Sequence, residues 1–181
     1  MTAIDVTIDR YLDLYDDALP QVFGYVCRRV DSSIVAEDIT AETFLSAMDT
    51  IKRGVVVTPT VAWLIGVARH KVADHWRRQA REQRRVSAIA AASEVEANNQ
   101  TDEWDDVLDA QLAHATLANL SSDHRAALSF RYLDGLPVGE IANLLGRTVG
   151  ATEALLTRAK AAFRAAYPDT ESDTEAGARH A

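Results

Sequence analysis

The chain has 181 residues, is 48% hydrophobic and carries a formal net charge of −8. It therefore has material for one large or two small buried cores, and lacks the overall basic excess usual in a nucleic-acid binder. Its single cysteine, Cys27, excludes an internal disulfide and a multi-cysteine zinc site and fits a reducing compartment. Asp5, Asp9, Arg10 and Asp13 break up the N-terminal stretch, which matches neither a signal peptide nor a membrane span and points to a cytoplasmic protein.

No strand pattern is persuasive, and the β-branched run at 54–58 is too short and unpartnered to be more than a loop. Everything else reads as helix. A first helix is expected over 8–19, with Pro20 restarting a second to about Val30 on the apolar spacing of Val22, Phe23, Val26 and Val30. After the turn at 31–33, a third helix spans about 34–51. Thr58 and Pro59 form a cap and first-turn pair for a long fourth helix to about Arg85, with Val61, Leu64, Ile65, Ala68 and Val72 on one side. Residues 8–86 are expected to form a four-helix domain.

From 87 to 102 the sequence turns to Ala, Ser, Asn, Gln and acidic residues, the composition of a flexible acidic linker. A second domain is expected over 103–167. It has a helix to about Ala118, a second one over 123–133 capped by Ser121 and Ser122, a turn at Asp134 and Gly135, and then two short helices in close succession. Pro137 suits a first helical turn, Ile141, Leu144 and Leu145 fall at helical spacing, Gly146 can end that helix in the left-handed region, and Thr148 can cap the next. That is the pattern of a helix-turn-helix, equally compatible with DNA reading and with an ordinary helical hairpin. The polar residues 168–181 read as a disordered tail. The fold class is all-α, with two small helical domains.

Charge is segregated along this framework. The stretch 69–85 holds seven basic residues against Asp74 and Glu82, whereas 93–109 holds seven acids and no Lys or Arg. On the third helix Asp38, Glu42 and Asp49 share a narrow arc, with Phe44, Met48 and Ile51 on another side, so one face is packed and the other acidic. Catalytic readings find no support. His70 and Asp74 lack a further metal ligand at suitable spacing, the carboxylates of Glu37, Asp38 and Glu42 lack the accompanying Glu-x-x-His of a di-iron bundle, and no phosphate loop or nucleophile elbow is present. No cofactor or metal is expected.

The run from Ala36 to Met48, with Glu37-Asp38-Ile39 followed by Glu42-Thr43-Phe44-Leu45, resembles the core-binding helix of bacterial RNA polymerase sigma factors of the extracytoplasmic-function group. That group retains only the second and fourth conserved regions. Two further stretches resemble it in the right order. Ala62-Trp63-Leu64 through Asp74-His75-Trp76-Arg77-Arg78 looks like the promoter-melting helix. Leu120-Ser121-Ser122 through Gly135-Leu136, with Glu140-Ile141-Ala142 and Leu145-Gly146, looks like the fourth region.

The resemblance implies an all-helical, non-enzymatic promoter-specificity subunit. Asp38, Glu42 and Asp49, with Phe44 anchoring the helix, would dock on the clamp helices of the polymerase β′ subunit. Trp63, His70, Lys71, Arg77 and Arg78 would face the minus-ten element, Trp63 and Trp76 each being equally compatible with a place in the core. Arg147, Thr148, Arg158, Lys160 and Arg164 would contact the backbone of the minus-thirty-five element, Ala151 or Thr152 its thymine methyls and Glu153 a cytosine amine. The second domain would also dock on the β flap. Glu94, Glu96 and the acids of 102–106 would either thread the polymerase active-centre cleft or serve as a solvated spacer. The resemblance also admits an anti-sigma protein as a further partner. Ala41 stands where the family often has Gln, and Glu153, Ala154 and Leu155 stand where relatives often carry Lys, Ser and Arg. The alternative is a stand-alone helix-turn-helix regulator, against which the −8 charge and the acidic third helix count.

Overall fold

The computed structural model describes residues 3–55, 58–89 and 110–167. Among them every regular element is helical, and the chain divides into two units, the first up to Ile89 and the second beyond it, except that Asn143–Arg147 group with the first. The first is built on α1 (Ala3–Cys27), α2 (Ser33–Lys52) and α3 (Val61–Ile89), each packed on the other two. The second is built on α4 (Ala110–Ala118), α5 (Ser122–Leu128), a π turn (Ser129–Leu133), α6 (Val138–Leu145) and α7 (Val149–Ala166).

The all-α, two-domain architecture is as expected, but the first unit has three helices where four were expected. Pro20 lies inside α1 and does not end it. A proline removes one ladder donor and crowds the carbonyl four residues back. Here Pro20 and Asp16 are both exposed, and the Gln21 side chain donates from Nε2 to the neighbouring Asp17 carbonyl at 2.9 Å. Ala18 and Val22, on either side of it, are fully buried, and their packing carries the helix through.

Around Val22, Val26, Phe44, Ile51, Leu64, Val72 and Trp76 the three helices close a core whose larger side chains each contribute about 1.5–3 kcal/mol. Thr40 and Thr43 sit in it without an unmet hydroxyl, donating to the carbonyls of Ala36 and Ile39, each at 2.7 Å. The cap of α3 is Thr60 and not Thr58. Its Oγ1 accepts the Trp63 amide at 3.2 Å and its carbonyl accepts the Leu64 amide. Pro59 is thereby left before the helix instead of in its first turn.

Tyr11 ties α1 to α2, its phenol donating to the Phe44 carbonyl at 2.7 Å. Burial, reinforced by neighbouring Tyr15, pushes this phenol from 10.0 up to about 12. The folded state thus favours the neutral phenol. That contribution is complete below pH 10 and is lost as pH rises through 12. Urea midpoints measured across this range should fall, and Tyr11→Phe should lack this part of the fall while being about 1 kcal/mol less stable at neutral pH.

In the second unit Leu120, Leu128, Ala159 and Phe163 form a buried cluster against which Leu117 and Tyr167 pack. Ser121 caps α5 as expected, its Oγ accepting the His124 amide. The helix expected to continue regularly to Leu133 instead widens at Ser129 into a π turn, closed by Asp134 N–H donating to the Ser129 carbonyl at 3.1 Å. Burial and the Arg158 guanidinium lower the His124 pKa, so this side chain is held toward its neutral form. The expected linker and tail, with Glu94, Glu96 and the acids of 102–106, lie outside the described residues except where α3 runs on to Ile89.

Candidate functional site

The first surface is the outer face of α2. Asp38, Glu42 and Asp49 are all exposed. Phe44 is 7% exposed, with its ring edge-on to Tyr15 at 4.9 Å, so it anchors the helix and leaves only its edge toward this surface. Sequence reasoning missed the apolar character of the same face. Leu45 is 68% exposed, and beside it Leu12 and Tyr15 of α1 are exposed too, so that Tyr11, Leu12, Tyr15, Phe23, Phe44 and Leu45 line an open groove between α1 and α2. The arrangement is an apolar groove flanked by carboxylates, suited to a helical partner that is apolar in the centre and basic at its edge.

The second surface is on α3. Trp63, His70, Asp74 and Arg77 recur at i, i+7, i+11 and i+14 and therefore share one face, with Arg78 beside it. His70, Arg77 and Arg78 are exposed and Trp63 is half-buried. Arg77 pairs with Asp74, three residues before it on the helix, in a solvent-exposed contact. Trp76 belongs elsewhere: at 1% exposure it is a core residue, on the stripe of Leu64, Ala68 and Val72.

Lys71 and Glu42, expected to serve different partners, meet each other across α2 and α3 at 3.6 Å. With side chains 22% and 50% exposed the pair is solvent-screened. A double-mutant cycle on Glu42→Gln and Lys71→Met, read by denaturant unfolding, should give a coupling of no more than about 1 kcal/mol that shrinks with added salt. A contact this weak leaves both groups available to stronger partners.

The third surface is the helix-turn-helix of α6 and α7. Gly146 takes φ +64°, the left-handed conformation that lets α6 end within one residue. Thr148 then starts α7, its Oγ1 accepting the Ala151 amide at 3.2 Å. Pro137 sits one position earlier than expected, its carbonyl accepting the Glu140 and Ile141 amides ahead of α6. The inward stripe of α7 is Thr152, Leu155, Leu156, Ala159 and Phe163, all buried. Thr152 is therefore removed from the expected DNA contacts: it is 0% exposed and its hydroxyl donates to the Thr148 carbonyl at 2.9 Å. Its place at i−3 and i−4 from Leu155 and Leu156 already signalled this. Ala151, Glu153 and Arg158 are exposed, Arg147 is half-buried, and Lys160 lies with its ammonium 6.0 Å from the centre of the Tyr132 ring.

Among the described residues no three His, Cys, Asp or Glu side chains gather as a metal site, and no helix is long and apolar enough to cross a membrane.

Comparisons with known proteins place these surfaces in a family context. A family model described as Sigma-70 region 2 matches residues 14–82, and one described as Sigma-70, region 4 matches residues 110–163. The ECF RNA polymerase sigma factor SigL of Mycobacterium tuberculosis is 33% identical over 152 residues, covering 83% of this chain and 85% of that protein. The ECF RNA polymerase sigma factor BldN of Streptomyces coelicolor is 31% identical over 163 residues, or 89% of this chain. The match spans 61% of BldN's length. Among solved structures, the sigma factor RpoE of Bartonella quintana, in complex with the anti-sigma factor NepR, aligns over 86% of this chain and 95% of its own at a TM-score of 0.52. At 19% identity that likeness is one of fold.

Proposed function

The chain belongs to the sigma-70 family of RNA polymerase sigma factors, among those named ECF, and on that premise we propose that it binds core RNA polymerase and directs promoter recognition and melting. The observation that supports this best is the division of labour within the first unit. α2 offers an acidic, apolar-grooved face and α3 a basic, aromatic one, while the second unit offers a helix-turn-helix. A protein that bound duplex DNA alone would have no use for exposed carboxylates on α2, which would repel phosphates, or for the exposed Leu45 of α2 and Leu12 of α1, which would cost solubility.

In this reading Asp38, Glu42 and Asp49 meet basic residues of the polymerase β′ clamp helices while Leu45 and the groove take the apolar contact. Trp63, His70, Lys71, Arg77 and Arg78 receive the minus-ten element, where an opened strand needs a stacking surface and a cationic path for its backbone. The helix-turn-helix receives the minus-thirty-five element, with Arg147, Thr148, Arg158 and Lys160 on phosphates, and the same unit docks on the β flap. The chain performs no reaction itself and works in the cytoplasm with the polymerase. A partner that covers the α2 face, as an anti-sigma protein would, silences it. The test is reconstitution: core polymerase plus the purified chain should initiate at mapped genomic promoters that core alone ignores. Specific duplex binding without polymerase, and no stimulation with it, would favour the stand-alone regulator.

A further inference from the structure

We propose that this chain reads its upstream promoter element through thymine methyl groups and one cytosine amine, with no purine-directed donor in the base-reading turns of α7. The inference rests on the assignment of α7 as the promoter-reading helix and goes beyond it in naming the chemistry of the sequence read.

In a helix-turn-helix the N-terminal residues of the second helix meet base edges in the major groove. The first two turns of α7 bury Thr152, Leu155 and Leu156 and expose Val149, Gly150, Ala151, Glu153 and Ala154. Half of the Val149 surface is open, and a Cβ placed on Gly150 would meet nothing within 4 Å. This face is therefore free to approach a groove closely.

The side-chain hydrogen-bonding inventory of those five residues is short. Four have no polar atom, and the fifth, ionised Glu153, only accepts. Guanine shows two acceptors in the major groove and is read by Arg or Lys, and adenine is read by the amides of Asn or Gln. None of these residue types is among the five. The methyl groups of Val149, Ala151 and Ala154 match the thymine C5 methyl, and the Glu153 carboxylate matches the cytosine N4 amine. Cations do flank the face, with Arg147 before α7 and Arg158, Lys160 and Arg164 in its later turns. We assign these cations to the phosphates, which fix position but carry no sequence.

The experiment uses holoenzyme assembled from core polymerase and the full chain. Promoters are selected from a library randomised over the upstream element, and each thymine of the selected element is then replaced by 2′-deoxyuridine, which removes only the methyl. The selected element should contain thymines, at least one of which loses about fourfold in promoter affinity as uracil, the worth of one buried methyl. Glu153→Ala, a change at an exposed position, should abolish about tenfold discrimination at one cytosine. Absence of any promoter-directed initiation overturns the sigma-factor reading and this inference together. Initiation that is indifferent to uracil at every thymine, or a base preference unchanged in Glu153→Ala, overturns this inference alone.

Discussion

Reversing two charges on α2, Asp38→Arg with Glu42→Arg, should weaken binding to core polymerase at least about a hundredfold and abolish promoter-directed initiation. Both residues are exposed and neither belongs to the core, so the fold has little to lose beyond the weak Glu42–Lys71 contact. At an interface the cost is larger. Each carboxylate loses a charged partner and each new guanidinium is set against a basic one, and a desolvated charge pair so disrupted costs about 2–5 kcal/mol. The matched control is Asp13→Arg with Asp17→Arg, which alters net charge equally at exposed α1 positions that do not line the groove. If only total charge mattered, as in long-range steering, the two doubles would behave alike. Pull-down of core polymerase at two salt concentrations separates the cases, and full binding by the α2 double would exclude this face as the docking surface.

The features read correctly from sequence were those decided by a few neighbouring residues. Thr148 caps α7, Ser121 caps α5 and Gly146 takes the left-handed conformation because each answers a local requirement of the backbone at a helix end. Pro20 shows the limit of local rules: its cost is real, but the buried residues on both sides of it outweigh that cost. The same limit hid the groove. Apolar spacing marks Leu12, Tyr15 and Leu45 as members of helical stripes, yet spacing does not say which part of a stripe finds a covering neighbour. Placing Thr152 and Trp76 required only a stricter use of periodicity, because each falls on the inward stripe of its own helix. The weak link between Lys71 and Glu42 joins residues 29 apart in sequence and had no local signal.

The two tryptophans of α3 should respond to truncation in opposite ways. Trp76 is 1% exposed and among the largest fully buried side chains, so Trp76→Ala leaves a cavity and should cost about 3–5 kcal/mol, a large share of the 5–15 kcal/mol typical of a whole domain. Calorimetry should show the first unit melting far lower, with polymerase binding lost as a consequence of unfolding. Trp63 is half-buried, and the cap at Thr60 uses its backbone amide, which truncation leaves intact. Trp63→Ala should therefore cost only about 1 kcal/mol in stability, the usual size for a partly exposed position. Its effect should fall on strand separation instead, because a base stacked on an aromatic ring is worth about 1–3 kcal/mol and an alanine offers no such platform. Permanganate reactivity of unpaired thymines in the minus-ten region should drop about tenfold or more in Trp63→Ala holoenzyme, while binding to core polymerase stays at the parent level. Promoter opening at the parent rate in that variant would remove Trp63 from the promoter surface and leave His70, Lys71, Arg77 and Arg78 to carry it by charge alone.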